Sequence, residues 1–483
     1  MPSDSRSAFH ADEMNLLKLA FLILCGVFLL STTVSAQADP IDSYIRAEMA
    51  KRHVPGLSLV VIKDKRIIKA SNYGLANVEL NVAVNERTSF EIASMSKQFT
   101  DAAMLLLVEE GKVGLDDSVT KYLDNLPETW RGITIRRLMN HTSGLRDDWD
   151  EGDPFFLTNN TNEDFLRALV NFPLKFKPGE RFSYSCGPFL IGLVIQKVTG
   201  KPYAQFMQER IFNPLGMTST HINDPFRIIA DRASGYVFRD GILKNGVRIS
   251  PAAEARADVG VATTALDLAK WDVALSGTSL LRESSLREMF SPGRLTDGSM
   301  IPYGFGWFIT PVRGHLVVGH SGGFRTGFSS TIDRYLDDKL TIIVLANLQT
   351  AHAWSIGRTV AGFYNADYSS ISFMTPQREP NPQRTLGLQR FLILLSEGRV
   401  EPGQAVEHFP LAYYDPEEMR AVIKGMKSFS LVGCRGMSAQ RRDLFGARIN
   451  EICFYKVTAD DEHYVSFVLN GDGKVIYVEP YEY

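Results

Sequence analysis

The spacing of apolar and polar residues changes several times along the chain, and each change marks an element. IDSYIRAEMAKRHV places Ile45, Met49 and His53 four residues apart, which predicts a helix. GLSLVVIKDKRIIKASNYG alternates apolar and polar residues on both sides of Lys63-Asp64-Lys65, the signature of a hairpin. In SMSKQFTDAAMLLLVEEGKV, Phe99, Ala102, Ala103, Leu106 and Leu107 follow helical spacing, and Gly111 marks the stop. A long helix- and loop-rich middle runs to about Gly277. Strands return at YGFGWFIT, HLVVGHSGG, GFSSTIDRYL and LTIIVLANL, and a helix follows from about Ala353 to Tyr364. Strands at both ends with helices between them predict an α+β fold with one sheet built from distant segments.

Further on, TPQREPNPQR holds three prolines among charges and reads as a linker. Beyond it lie two helical segments, LQRFLILLSEGRV and DPEEMRAVIKGMK, and then strands. Asn470-Gly471-Asp472-Gly473 makes the last strand pair a hairpin. The expected organisation is a leader over 1–38, a main domain over 39–370, a linker over 371–384, and a small α+β domain over 385–483.

The leader rests on Lys18, the apolar run Leu19–Leu30, and small residues around Val34-Ser35-Ala36 and Ala36-Gln37-Ala38. This is the layout of a secretory signal peptide, and the run is shorter than the roughly 20 residues of a membrane span. An uncleaved anchor is the other reading. Export to the periplasm or the medium is therefore expected. The mature chain would keep Cys186, Cys434 and Cys453, and an oxidising compartment allows one pair. Length and an apolar fraction of 45 % give enough material for a large core plus a smaller unit. A formal net charge of −3 without any Lys/Arg run argues against a nucleic-acid partner.

Three clusters carry candidate chemistry. In Ser94-Met95-Ser96-Lys97 a helix start would bring Lys97 onto the face of Ser94, where a buried lysine serves as base. Alone, the pattern also fits an ordinary helix start. Tyr184, in Phe182-Ser183-Tyr184-Ser185, can pass a proton between an attacking hydroxyl and a leaving group when a cation such as Lys97 lies near. It also fits a core tyrosine. His320-Ser321-Gly322-Gly323 follows the apolar LVVG, and small residues on a strand admit a substrate backbone. The N–H groups of Ser94 and Gly323 would form an oxyanion hole, with His320 and Ser321 as hydrogen-bonding groups. A glycine-rich turn between strands is the plainer reading. No His spacing suggests a metal site, and no cofactor is expected.

The order S-x-x-K, Y-S-x, H-S-G resembles the serine β-lactamase and penicillin-binding-protein superfamily. VPGLSLVVIKD, LMNHTSGL, NPLGMTST, GVATTALDLAKW and YGFGWF are similar to further segments of it. The resemblance covers about residues 40–368 and is nearest the class C β-lactamase-like branch of carboxylesterases, D-amino-acid peptidases and β-lactamases. It implies an antiparallel sheet flanked by helices, with a helical subdomain, and a metal-free acyl-enzyme mechanism. Ser94 would attack a carbonyl, with Lys97 and Tyr184 moving protons, the oxyanion on Ser94 and Gly323, and His320 in the third motif. His141, in LMNHTSGL, reads as structural.

Two residues depart from the family pattern. Cys186 stands where lactam- and peptide-cleaving members usually have Asn, and a thiol makes no comparable hydrogen bond. His320 stands where Lys is usual, and an unperturbed imidazole is mostly neutral at pH 7. With Cys186, Ser321 and Gly322 as substrate contacts, these departures point to an esterase-like hydrolase of small ester, amide or peptide substrates. A D-Ala-peptide carboxypeptidase, D-aminopeptidase or β-lactamase is the first alternative, and a sensor that stays acylated is the second. Cys186 as nucleophile, placed just before a helix, is a further reading. Tyr303, Phe305, Trp307 and Phe324 either line an acyl pocket or pack the sheet.

Overall fold

The computed structural model describes residues 39–146, 158, 160–312, 315–369, 377–407, 409–411, 414, 416–436, 447–459 and 462–479. The leader over 1–38 and the first half of the expected linker lie outside these residues. Residues up to Tyr44 and residues from Ile45 onward fall into two compact units, and the account below concerns the second.

The hairpin predicted at Lys63-Asp64-Lys65 joins strands Gly56–Lys63 and Arg66–Asn77. Asp64 and Lys65 take φ of 50° and 64°, the left-handed pair that a two-residue turn needs to match the strand twist. Gly56–Lys63 also pairs antiparallel with Leu340–Ala346, so segments far apart in sequence lie side by side, with Leu57 opposite Ala346. Across the seven-stranded sheet the order is Phe308–Val312, His315–Phe324, Phe328–Tyr335, Leu340–Ala346, Gly56–Lys63, Arg66–Asn77, Val82–Ala83. The central strands Phe328–Tyr335 and Leu340–Ala346 are buried throughout. Leu340–Ala346 reads as a nearly continuous apolar run, as a strand covered on both faces does, whereas Phe328–Tyr335 buries Ser329, Ser330, Thr331, Asp333 and Arg334. Helix Ala353–Gly362 packs against them.

The Ser96–Glu109 helix is buried from Ser96 through Leu107. Its polar residues therefore need partners inside the core. Ser96 Oγ accepts the Val261 N–H at 2.9 Å, and Gln98 Oε1 accepts Trp271 Nε1–H at 2.6 Å. Thr100 Oγ1 donates to the Ala257 carbonyl at 2.5 Å. The Phe99 ring lies 4.3 Å from that of Trp271.

One expected strand is corrected. YGFGWFIT is extended only from Phe308 on. Gly306 takes φ of 76°, and a Cβ there would lie 2.5 Å from the Cα of Gln98. The segment Tyr303–Trp307 is thus a loop pressed onto the Ser96–Glu109 helix, which only a glycine permits. Tyr303, Phe305 and Trp307 are buried, so these three rings pack the core beside the sheet rather than face solvent.

A second hydrophobic cluster gathers Phe391, Leu392, Leu395, Tyr455 and Phe467, with Met300 among its members. It lies between helices Pro382–Ser396 and Pro416–Ile423 and an antiparallel meander of Ser428–Gly436, Glu451–Thr458, Glu462–Leu469 and Val475–Glu479. The first helix begins inside the segment read as linker, because the Asn381 side chain caps it by accepting the Arg384 N–H at 3.1 Å and Pro382 opens it. Cys434 and Cys453 face each other across the first strand pair and form a disulfide.

Candidate active site

Ser94 sits in a single 3-10 turn, Ala93–Met95, that leads into the buried helix. Ala93 before it takes φ of 46°, a conformation that costs a non-glycine residue of order 1–3 kcal/mol and clusters at functional sites. Ser94 is half-buried, whereas Lys97 is 2 % exposed. Lys97 Nζ lies 3.0 Å from Ser94 Oγ and 3.1 Å from the carbonyl oxygen of Asp258. The helix thus brings the two residues together as the S-x-x-K spacing predicts.

Tyr184 is the third member of the group. Its ring centre lies 4.8 Å from Lys97 Nζ, close enough for a cation–π contact. His141 clasps the segment around it. The His141 carbonyl accepts the Ser183 N–H at 3.0 Å, and His141 Nδ1 accepts the Ser185 N–H at 3.1 Å. The imidazole lies 4.3 Å from the Tyr184 ring centre. Burial, with the Lys97 charge, holds the His141 pKa well below that of an ordinary histidine, so the ring is a neutral support.

His320 lies on strand His315–Phe324, so the HSGG segment is a strand and not a turn. The imidazole is 3 % exposed. Nδ1 lies 2.6 Å from the Ser321 carbonyl, which can only accept, so Nδ1 carries the hydrogen. Nε2 then accepts the Tyr303 hydroxyl at 3.1 Å. Burial, and after it the Lys97 charge, lowers the pKa to about 3. Both ring nitrogens are engaged and the ring is uncharged. In this arrangement it braces Tyr303, whose ring meets that of Tyr184 edge-on at 6.2 Å.

Cys186 is buried as well. The residue is 1 % exposed, and its thiol donates to the Arg146 carbonyl at 3.3 Å. It precedes helix Gly187–Thr199 directly, with Pro188 in the first turn.

Ser321 and Gly323 are exposed, and Gly322 between them is buried, as strand alternation requires. A Cβ on Gly322 would lie 2.0 Å from the Ile92 carbonyl oxygen, whereas one on Gly323 would meet nothing nearer than 4.0 Å. Ser330 Oγ also donates to the Ile92 carbonyl, at 2.9 Å. The strand that carries Gly323 is therefore packed tightly against the turn that carries Ser94. Pairing with Phe308–Val312 ends at Gly319, so among the described residues that edge of the strand has no partner beyond it. An open edge of this kind can hydrogen-bond a ligand.

The sequence reading missed Arg256, Asp258 and the Tyr303–His320 bond. The first two had a weak signal, since Glu254, Arg256 and Asp258 alternate in sign at every second position of the otherwise small and apolar PAAEARADVGVA. The third had none, because it depends on the loop conformation imposed by Gly306.

The sequence pattern of the Beta-lactamase family matches residues 41–360. Penicillin-binding protein 4* of Bacillus subtilis (strain 168) is 32 % identical over 324 residues, 62 % of this chain and 69 % of its own length. Protein flp of Staphylococcus aureus (strain MW2) is 31 % identical over 325 residues, 65 % of this chain and 63 % of its own length. The match thus spans about two thirds of these relatives. The octameric penicillin-binding protein homologue of Pyrococcus abyssi superposes with a TM-score of 0.60 at 23 % identity, covering 89 % of this chain and 96 % of that one. D-amino acid amidase of Ochrobactrum anthropi SV3, solved with L-phenylalanine, gives 0.59 at 23 % identity, covering 68 % and 98 %.

Proposed function

The chain belongs to the Beta-lactamase family, and on that premise we propose that it is a serine hydrolase that cleaves small esters or amides through an acyl-enzyme on Ser94. The observation that carries the reading is the 3.0 Å contact between a buried lysine amine and the Ser94 hydroxyl at an open strand edge. Lys97, as free amine, takes the Ser94 proton while Ser94 Oγ attacks the substrate carbonyl. The oxyanion that forms is met by the N–H groups of Ser94 and Gly323. The proton on the Lys97 ammonium then passes through Tyr184 to the leaving group, and a water that loses a proton to the same pair attacks the acyl group, releasing the acid as Ser94 Oγ takes that proton back.

The preference for uncharged esters and amides is supported by the charge of the site. His320 is neutral, so beside Tyr184 the His320 position supplies no fixed positive charge for a substrate carboxylate. The buried Cys186 thiol offers no amide-like donor to an acylamino group. D-amino-acid amides are the second reading, favoured by the structural likeness to the Ochrobactrum amidase. Export is part of the proposal. It is supported by the Lys18 and Leu19–Leu30 pattern and by the Cys434–Cys453 disulfide, which suits an oxidising compartment. Residues 385–483 are assigned as an accessory unit.

A panel of p-nitrophenyl acetate, a D-amino-acid amide, a D-Ala-D-Ala peptide and nitrocefin tests the substrate class. The proposal expects ester turnover above the other three. Nitrocefin or the D-Ala-D-Ala peptide as the best substrate would overturn it. A single burst of p-nitrophenol without turnover would instead indicate a sensor.

A further inference from the structure

The carbonyl that meets Lys97 belongs to a loop with an unusual pair of side chains. Arg256 Nε donates to Asp258 Oδ1 at 2.9 Å and Arg256 Nη2 to Oδ2 at 2.5 Å. The two side chains are 6 % and 3 % exposed. Removing two charges from water this completely is costly, and a bidentate geometry offsets only part of it. The Arg256 guanidinium also lies over the rings of Phe165 and Phe189, at 5.0 and 5.4 Å. Phe189 belongs to the helix that follows Tyr184 and Cys186. In that helix a Cβ on Gly192 would come 2.4 Å from the Ala257 Cβ, so helix and loop are in close contact. Thr100, on the Ser96–Glu109 helix, holds the Ala257 carbonyl at 2.5 Å. The ion pair therefore sits where the Ser96–Glu109 helix, the Gly187–Thr199 helix and the 255–260 loop meet.

We infer that Arg256 and Asp258 are positioning residues for Lys97: their ion pair fixes the Asp258 carbonyl against Nζ and keeps the charge beside Lys97 balanced, so that the amine can take the Ser94 proton. This role rests on the acyl-enzyme reading above. The other groups facing Lys97 add little charge near neutral pH. Tyr184 presents its ring, and His141 and His320 are neutral. Asp101, one turn further along the helix, is fully buried, which pushes its carboxyl toward the neutral acid. Tyr203, which feels the Asp258 charge, is a neutral phenol with its pKa raised by burial. Burial would raise the Asp258 carboxyl, but the Arg256 and Lys97 charges more than offset this and keep it ionised.

Removing one partner at a time separates this role from plain structural support. Arg256→Met leaves Lys97 as the remaining counter-charge of the buried Asp258 carboxyl, which favours the carboxylate–ammonium pair over the free amine, so the acid limb of kcat/KM should move up by about one pH unit. Asp258→Asn leaves a guanidinium that cannot lose its proton, so the limb should move down by about one unit. The Arg256→Met/Asp258→Asn double variant should return close to wild type. p-Nitrophenyl acetate hydrolysis from pH 4.5 to 9 reads all three, with thermal unfolding as the fold check. If one single variant fails to fold, the other against the double variant still gives the sign. Limbs that stay fixed, or move in the same direction while Tm falls, overturn the inference. Ser94→Ala and Lys97→Ala run alongside: their inactivity with fixed limbs sinks only the positioning role, whereas their full activity sinks the acyl-enzyme reading itself.

Discussion

An alanine at Gly322 would place a methyl group 2.0 Å from the Ile92 carbonyl oxygen and 2.6 Å from Ser330 Oγ. Carbon and carbonyl oxygen ordinarily approach no nearer than about 3.3 Å, so strand and turn must separate by about 1.3 Å. Ile92 lies two residues before Ser94, and Gly323 follows Gly322. The separation therefore falls between the two N–H groups assigned to the oxyanion. Overpacking of this kind costs about 1–3 kcal/mol of stability, and a displacement near 1 Å at a reacting centre costs about 10²-fold in rate. Gly322→Ala should thus lower Tm and reduce kcat for p-nitrophenyl acetate about a hundredfold, with little change in KM. Gly323→Ala is the control for the fold. Its added methyl group finds nothing nearer than 4.0 Å, so its Tm should match wild type. Circular dichroism melts and steady-state kinetics on both variants make the comparison. A Gly322→Ala enzyme with unchanged Tm and kcat would refute the idea that this contact sets the oxyanion geometry.

Other outcomes follow from burial and charge. His320, with a folded pKa of about 3 against an ordinary value of about 6.5, binds fewer protons folded than unfolded in between. Its contribution is therefore present above about pH 6.5 and lost as pH falls toward 3. His320→Gln should show a shallower fall of Tm than wild type between pH 6.5 and 4, and a steeper fall would contradict the assignment. The Cys186 thiol should resist a thiol reagent in the folded protein and react on unfolding in guanidinium, and Cys186→Ala should keep ester turnover. The disulfide spans 19 residues of sequence, and a loop of that size is worth about 3 kcal/mol in the chain-entropy account. Cys434→Ala/Cys453→Ala should thus unfold at lower denaturant, while ester turnover at 25 °C remains.

The parts of this protein that were legible in its sequence are those set by local pattern. The Lys63-Asp64-Lys65 hairpin follows from alternation, and the Asn381 cap shows how short polar side chains mark a helix start, even where prolines suggested a linker. Ser94 and Lys97 were legible because a helix fixes what lies one turn apart. Tyr184 and Gly323 required the combination of three distant motifs. What stayed hidden depends on tertiary packing. The Tyr303–His320 bond depends on a loop pressed onto Gln98 through Gly306. Whether the Cys186 thiol points toward the site or toward Arg146 depends on the course of a loop forty residues upstream. Arg256 and Asp258 were visible as letters, but their burial beside Lys97 was not.

The central claim is a covalent acyl group on Ser94. It is tested most directly by quenching the enzyme in acid during turnover of p-nitrophenyl acetate and mapping the acetylated peptide by mass spectrometry. The account predicts acetyl on Ser94 in wild type and no acetylated peptide in Ser94→Ala. Acetyl on Cys186, or full turnover in Ser94→Ala, would contradict it.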